Sequence, residues 1–294
     1  MSVFVAVAEE QGFAAAARRM NMSPPSATRA VSDLEGRLGA LLFHRTTRSV
    51  TLTEAGERYL ADCRRILAEI EEADRHAIGT HAAPRGLVTV TGSVMFGRVV
   101  LTPILIKLQE RYPDISLSAL FLDRMVHLLN EGVDVAIRIA ELPDSSLTAV
   151  RVGTVRRVLC ASPDYLASNG KPETLNELSR HQTVNFIHEA PLGEWTFQEG
   201  QRSKAFRVQS SLWFNVADAA ITAAIAGRGI TRILSYMAAP HLRSGDLETV
   251  LDGFAPPAVP VHVVHKEPGE TSARVRAVVD FLVEKLRKEP MLQQ

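Results

Sequence analysis

Apolar residues at the start of the chain recur three and four positions apart: Val3, Phe4, Val7 and Ala8 form one set, and Phe13, Ala16, Ala17 and Met20 the next. That spacing puts each set on one face of a short helix. Asn21, Met22 and Ser23 break the pattern. Ser23-Pro24-Pro25 then reads as a helix start, because a hydroxyl at the N-cap accepts a free backbone N–H and proline fits the first turn, where no N–H is needed. Ala27, Ala30, Val31, Leu34 and Leu38 line this third helix, which ends near Gly39. From His44 to Leu52 the pattern shortens to alternation with β-branched residues, predicting a two-stranded hairpin with a basic tip, a wing. Thr53 caps the next helix, with Glu54 and Glu57 placed to favour the positive end of its dipole.

In that helix Leu52, Gly56, Tyr59, Cys63, Ile66, Ile70, Ala73 and Ala77 recur at alternating spacings of four and three, a heptad seam that calls for a partner. A helix over 53–78 would be roughly 40 Å long, too long for the small domain before it to cover. The stretch 80–86 (THAAPRG) reads as a break into a new domain. Beyond it strands alternate with helices: strand 87–91, helix 97–112, strand 115–121, helix 125–131 and apolar strand 133–139, the pattern of a parallel α/β unit. A strand-like stretch at 150–161 follows, and 162–264 repeats the pattern with a helix at 217–226. Val275, Val278, Val279, Leu282 and Leu286 share one face of a last helix over 272–287, expected to pack back on the first lobe. The domain boundaries predicted are 1–52, a linker helix over 53–80, a first lobe made of 86–161 plus 266–290, and a second lobe over 162–265.

The 294 residues carry 33 Lys and Arg against 33 Asp and Glu, so overall charge does not advertise a polyanionic partner. Local charge does. Between Gly12 and Leu52 stand Arg18, Arg19, Arg29, Arg37, Arg45 and Arg48 against only Asp33 and Glu35. Cys63 and Cys160 lack metal-ligand spacing and fit a reducing compartment. The N-terminus has acids where a secretion signal would have a basic start, and no apolar run approaches the length needed to span a bilayer. A cytoplasmic protein is expected.

The run FAAAARRMNMSPPSATRAVSDLEGRLGALLFHRTTRSVTLTEAGERYL resembles the signature region of LysR-type transcriptional regulators, and the resemblance continues through VDVAIRIAELPDSSL and AGRGI to the last helix. It implies an α+β multidomain protein: an N-terminal winged helix-turn-helix, a long linker helix that pairs antiparallel with a second copy, and a C-terminal two-lobed α/β effector domain resembling periplasmic binding proteins. Relative to the family, the chain begins a few residues inside the first helix, so that helix is expected to be weakened. Gly12 stands where the family usually has serine, removing a side-chain cap and a phosphate contact.

For DNA, the residues near the start of the third helix are the candidates: Ser23, Pro25, Ser26, Thr28 and Arg29. Ser26 and Arg29 are expected to face the groove, Thr28 a base edge or the backbone, and Pro25 a thymine methyl. Arg45, Thr46, Thr47 and Arg48 of the wing are assigned to the backbone or minor groove, with Arg18 and Arg19 as further candidates. Capping and solvent exposure are the competing explanation for the hydroxyls. Two paired copies imply a promoter site with an interrupted inverted repeat, a homodimer or homotetramer, and RNA polymerase as a further partner.

For the effector, ligands in open α/β sheets bind beyond the carboxyl ends of strands. Ser93, Val94, Met95 and Phe96 follow the first strand, Arg138 and Ile139 end a buried one, Asn215 precedes the helix at Ala217, and Thr231 follows Gly227-Arg228-Gly229. Core packing competes for Met95 and Phe96, and a structural ion pair for Arg138. No GxSxG, GxxxxGK or GxGxxG run suggests an enzyme. His262 and His265 would point to opposite faces of a strand, and His76 and His81 diverge on a helix, so neither pair suggests a metal, and no cofactor is expected. The remaining alternative is a solute-binding protein without DNA function, which would have no need of the basic wing and heptad helix.

Overall fold

The computed structural model describes residues 1–45, 50–77, 84–128, 131–186, 193–200, 202–266 and 272–293, and side chains other than those of 65, 68, 69 and 71–77 within them. They form two compact units, Met1–Leu87 and Val88–Gln294.

In the first unit, α1 (Ser2–Glu10), α2 (Phe13–Arg19) and α3 (Pro24–Leu38) precede a hairpin of β1 (Phe43–Arg45) and β2 (Val50–Leu52), and α4 (Glu54–Ala77) completes it. The apolar faces meet as the spacing predicts: Phe4, Val7, Ala16, Val31, Leu34, Leu42, Phe43 and Cys63 build one core. α2 starts on Gly12 with no side-chain cap, whereas Ser23 caps α3 by accepting the Ser26 N–H at 3.3 Å. Thr53 caps α4, its hydroxyl accepting the Gly56 N–H at 2.9 Å and donating to the Leu41 carbonyl at 2.8 Å. A Cβ at Gly56 would stand 2.1 Å from the Leu42 carbonyl oxygen, so only glycine lets α4 seat on the segment before the hairpin.

The seam along α4 divides. Gly56 and Cys63 are buried and Tyr59 and Leu60 pack on the unit's own core, while Ile70 is 49% exposed. The first half of the heptad pattern is therefore explained within the chain, and Ile70 is left open.

The second unit holds two five-stranded sheets. The first has the order β4-β3-β5-β14-β6 and the second β11-β8-β12-β7-β13. β3 (Gly86–Gly92) leads into α5 (Val94–Phe96), a π turn (Gly97–Leu101) and α6 (Thr102–Arg111), then β4 (Ile115–Phe121), β5 (Val135–Ile139) and β6 (Thr148–Val155). Pro103 accounts for the π turn: it has no N–H to give the preceding turn and its ring crowds the Val99 carbonyl. The Gly97 carbonyl instead accepts the backbone N–H and hydroxyl of Thr102, the latter at 2.8 Å.

The second sheet collects β7 (Arg157–Ala161), α7 (Pro163–Asn169), α8 (Leu175–Leu178), β8 (Thr183–Phe186), β11 (Ser210–Phe214), α9 (Ala217–Ile225), β12 (Ile230–Leu234), α10 (Ser235–Ser244) and β13 (Glu248–Val250). A hairpin of β9 (Glu194–Glu199) and β10 (Arg202–Arg207) accompanies it. β14 (Val259–His265) then returns to the first sheet, and α11 (Ala273–Arg287) buries its Val275, Val278, Val279, Leu282 and Leu286 stripe in the core that the two sheets share.

Four expectations are corrected. The first sheet is mixed, because β14 runs antiparallel to both β5 and β6. The lobe boundaries move: β14, placed by pattern in the second lobe, belongs to the first sheet, and β7, placed in the first, pairs with β12 and β13. The single stretch 150–161 breaks at Arg156, whose N–H and carbonyl bind the Ser235 hydroxyl and N–H at 3.1 and 2.8 Å. Finally, the helix expected at 125–131 is absent among the residues described there. Val126 and Leu128 are buried two apart in a small core of their own, the spacing of extended chain. Glu131, locked to Arg124, takes the His127 N–H at 3.0 Å.

Candidate nucleic-acid interface and effector cleft

α3 separates its two faces cleanly. Ala27, Val31 and Leu34 are buried, and Pro25, Ser26, Thr28 and Arg29 stand exposed on the other side. Local bonds engage two hydroxyls: Ser23 Oγ meets Ser26 Oγ at 2.8 Å, and Thr28 Oγ1 donates to the Pro24 carbonyl at 3.0 Å. Ser23 is thus a cap first. Arg29 makes no hydrogen bond or ion pair among the described residues, so its charge is available to an outside partner.

Arg45 already has a partner within the chain. Its guanidinium lies 2.5 Å from Glu35 Oε2 and stacks 4.9 Å from the centroid of Phe13. Glu35 is buried and also accepts the Leu42 and Phe43 N–H groups at 2.8 and 3.2 Å. Arg45 thus ties β1 to α3, because a buried carboxylate needs a cation, while the residue itself stays exposed. Arg19 is likewise held by Glu9 and Glu10, and Glu9 also binds Arg64 of α4 at 3.0 Å. Thr46, Thr47 and Arg48 lie outside the described residues.

In the second unit the structure gathers part of the expected effector set. Ser93 precedes α5 and leaves its Oγ buried without a hydrogen bond. The Val94 N–H is bound by Asp123 Oδ1 at 3.0 Å. Met95 and Phe96 are buried in the shared core, and Phe96 meets Tyr236 of α10 edge-on at 5.2 Å. The Tyr236 hydroxyl is also buried without a hydrogen-bond partner of ordinary geometry. Burial pushes its pKa up, with Ser93 pulling it down and Asp123 adding to the rise.

Arg98, one turn on, bridges to Asp218 at the start of α9 with two bonds of 2.8 Å, and its Nη2 reaches Met95 Sδ at 3.4 Å. The Arg98 hydrogen bonds hold Asp218 below the usual aspartate range, against the effect of burial. Asn215 is exposed just before α9. Elements flanking both sheets thus come together here, Asp123 with Val94, Arg98 with Asp218, and Phe96 with Tyr236.

Two expected members fall elsewhere. Arg138 points to the opposite face of the first sheet from Ile137 and Ile139, because side chains alternate along a strand, and its guanidinium donates to the Val126 carbonyl. Thr231 is fully buried at the start of β12, opposite Cys160 and Val184, the far end of that strand from the α10 turn. Ile139 packs partly buried against the shared core. Arg98, Asp123, Asp218 and Tyr236 were not found from sequence. Their partners lie 29 to 140 positions away, and no local pattern encodes such pairings.

A three-helix head with a capped, outward-facing third helix and a two-sheet domain with polar groups between its halves define a DNA-binding regulator carrying a ligand-binding domain. Comparison with known proteins agrees. Residues 1–57 match the bacterial regulatory helix-turn-helix protein, lysR family, and residues 81–287 the LysR substrate binding domain. The chain is 34% identical over 283 residues to the HTH-type transcriptional regulator DmlR of Escherichia coli (strain K12), covering 96% of this chain and 92% of the relative. It is 34% identical over 295 residues to an HTH-type transcriptional repressor of Pseudomonas aeruginosa (strain UCBPP-PA14), covering 100% and 93%. Among solved structures, CrgA, a LysR-type transcriptional regulator from Neisseria meningitidis, superposes with a TM-score of 0.64 at 31% identity, covering 97% of each chain. The chain belongs to the LysR family of transcriptional regulators.

Among the described residues no group of three or more His, Cys, Asp or Glu side chains is placed to hold a metal ion, and no helix is long and apolar enough to cross a membrane.

Proposed function

We propose that α3 reads operator DNA through Pro25, Ser26, Thr28 and Arg29, and that the site formed by Ser93, Arg98, Asp123, Asp218 and Tyr236 takes a small-molecule effector. The observation that carries the DNA reading is the exposed, unpartnered Arg29 beside exposed Ser26 in the first half of a recognition-type helix, where side chains reach base edges. The wing tip, Thr46 to Arg48, adds backbone contacts. The effector reading is supported by the hydroxyls of Ser93 and Tyr236, which are buried close to each other and make no hydrogen bond of ordinary geometry, since buried polar groups are ordinarily well hydrogen-bonded.

Exposed Ile70 on α4 supports self-association through that helix, which would present two α3 helices to an inverted repeat. Effector binding then alters the separation of those helices and the contact with RNA polymerase. The protein works in the cytoplasm, by binding and without catalysis. Fluorescence anisotropy on intergenic DNA beside the gene, at fixed salt, tests the DNA reading: selective binding that Arg29→Ala weakens supports it, and binding equal to that of unrelated DNA refutes it. Tyr236→Phe tests the site. The account expects normal folding and DNA binding with the effector response reduced at least tenfold.

A further inference from the structure

Three basic side chains stand in a row across the first sheet, on the face turned away from the shared core. His262 of β14 is paired directly with Arg138 of β5 on one side and with Arg151 of β6 on the other. Residues opposed in this way hold their Cβ atoms about 5 Å apart, so the two guanidinium groups flank the imidazole. No carboxylate pairs with any of the three among the described residues. Arg138 donates only to the Val126 carbonyl, Arg151 is exposed with no side-chain partner, and the His262 Nδ1 is buried with nothing to bond. The nearest acid to act on Arg138 is Glu131, already held by Arg124 at 2.6 Å. The pairing of β14 with β6 shifts register between Val261 and His262, beside the row, and such irregularities re-aim side chains at functional sites.

We infer that Arg138, His262 and Arg151 form a binding site for a small oxyanion on the outer face of the first sheet, separate from the effector cleft. The anion supplies the negative charge that the row lacks and the partner that His262 Nδ1 lacks; two flanking guanidinium groups suit carboxylate or phosphate oxygens. This site does not depend on the cleft assignment, since Arg138 and Ser93 belong to different faces and different contacts.

The test is titration of the full-length protein with inorganic phosphate and, separately, acetate, by calorimetry and by thermal melting, against sodium chloride at matched ionic strength. Saturable binding of either anion above the chloride control is expected, weakened at least fivefold in Arg151→Gln and in His262→Gln and unchanged in Ser93→Ala; the anion that binds more tightly identifies the source. Arg151 is exposed, so its variant folds. A response no larger than that to chloride, binding retained in Arg151→Gln, or binding lost in Ser93→Ala would each overturn the inference.

Discussion

The outward face of α3 and the cleft around Ser93 differ in where their polar groups find partners. On α3 the hydroxyls bond within one turn and Arg29 bonds to nothing among the described residues. In the cleft, Arg98 is held by Asp218, 120 positions away, and the Val94 N–H by Asp123. A surface that awaits a polyanion keeps its cations free. The residues around Ser93 instead satisfy their charges among themselves and leave the buried hydroxyls of Ser93 and Tyr236 without a hydrogen bond of ordinary geometry.

The largest effect expected is on the platform beneath α3. Gly56→Ala places a Cβ against the Leu42 carbonyl, and overpacking of this kind costs about 3 kcal/mol. Thermal melting should show the first unit losing stability while the Val88–Gln294 unit keeps its own transition. Equal destabilisation of both would merge the two regions. Next is Arg29→Ala, expected to weaken operator binding by about 2 kcal/mol with stability unchanged; a loss of stability instead would make Arg29 structural. Ser23→Ala removes a cap and should destabilise by about 1 kcal/mol, in contrast to Arg29. The smallest effect belongs to the cleft. Asp218→Asn breaks an exposed bridge worth a few tenths of a kcal/mol.

The sign of its pH dependence follows from the depressed Asp218 pKa: the bridge contributes above the ordinary aspartate range and is lost as pH falls through the folded value. Wild type and Asp218→Asn should therefore converge in stability at strongly acid pH, as chemical denaturation across that range would show.

The same contrast sets what the sequence could reveal. The Ser23 cap, the Ala27-Val31-Leu34 stripe and the exposed positions between them are local, and periodicity shows them directly. Val275 to Leu286 is legible for the same reason. The strands at 87–91, 115–121 and 133–139 were legible, but not the individual strands of 162–264 nor that β14 would return to the first sheet, because its partners β5 and β6 lie more than a hundred positions earlier. Val126 and Leu128 misled because an apolar stretch that short fits a helix or an extended chain. Arg45 reads from sequence as a basic wing residue, and its tie to the buried Glu35 of α3 could not be read there, because the two are ten positions apart. Of the cleft, Ser93 was found from its place after a strand, whereas Tyr236 and Asp218 depend on how the two sheets meet.

The most direct test of the central claim is a hydroxyl-radical footprint of the full-length protein on the intergenic DNA beside its gene, compared with Arg29→Ala at the same salt. The account predicts two protected patches related by a dyad and spaced by whole helical turns, lost or strongly weakened in the variant. Protection of a single patch, or an unchanged footprint with Arg29→Ala, would contradict it.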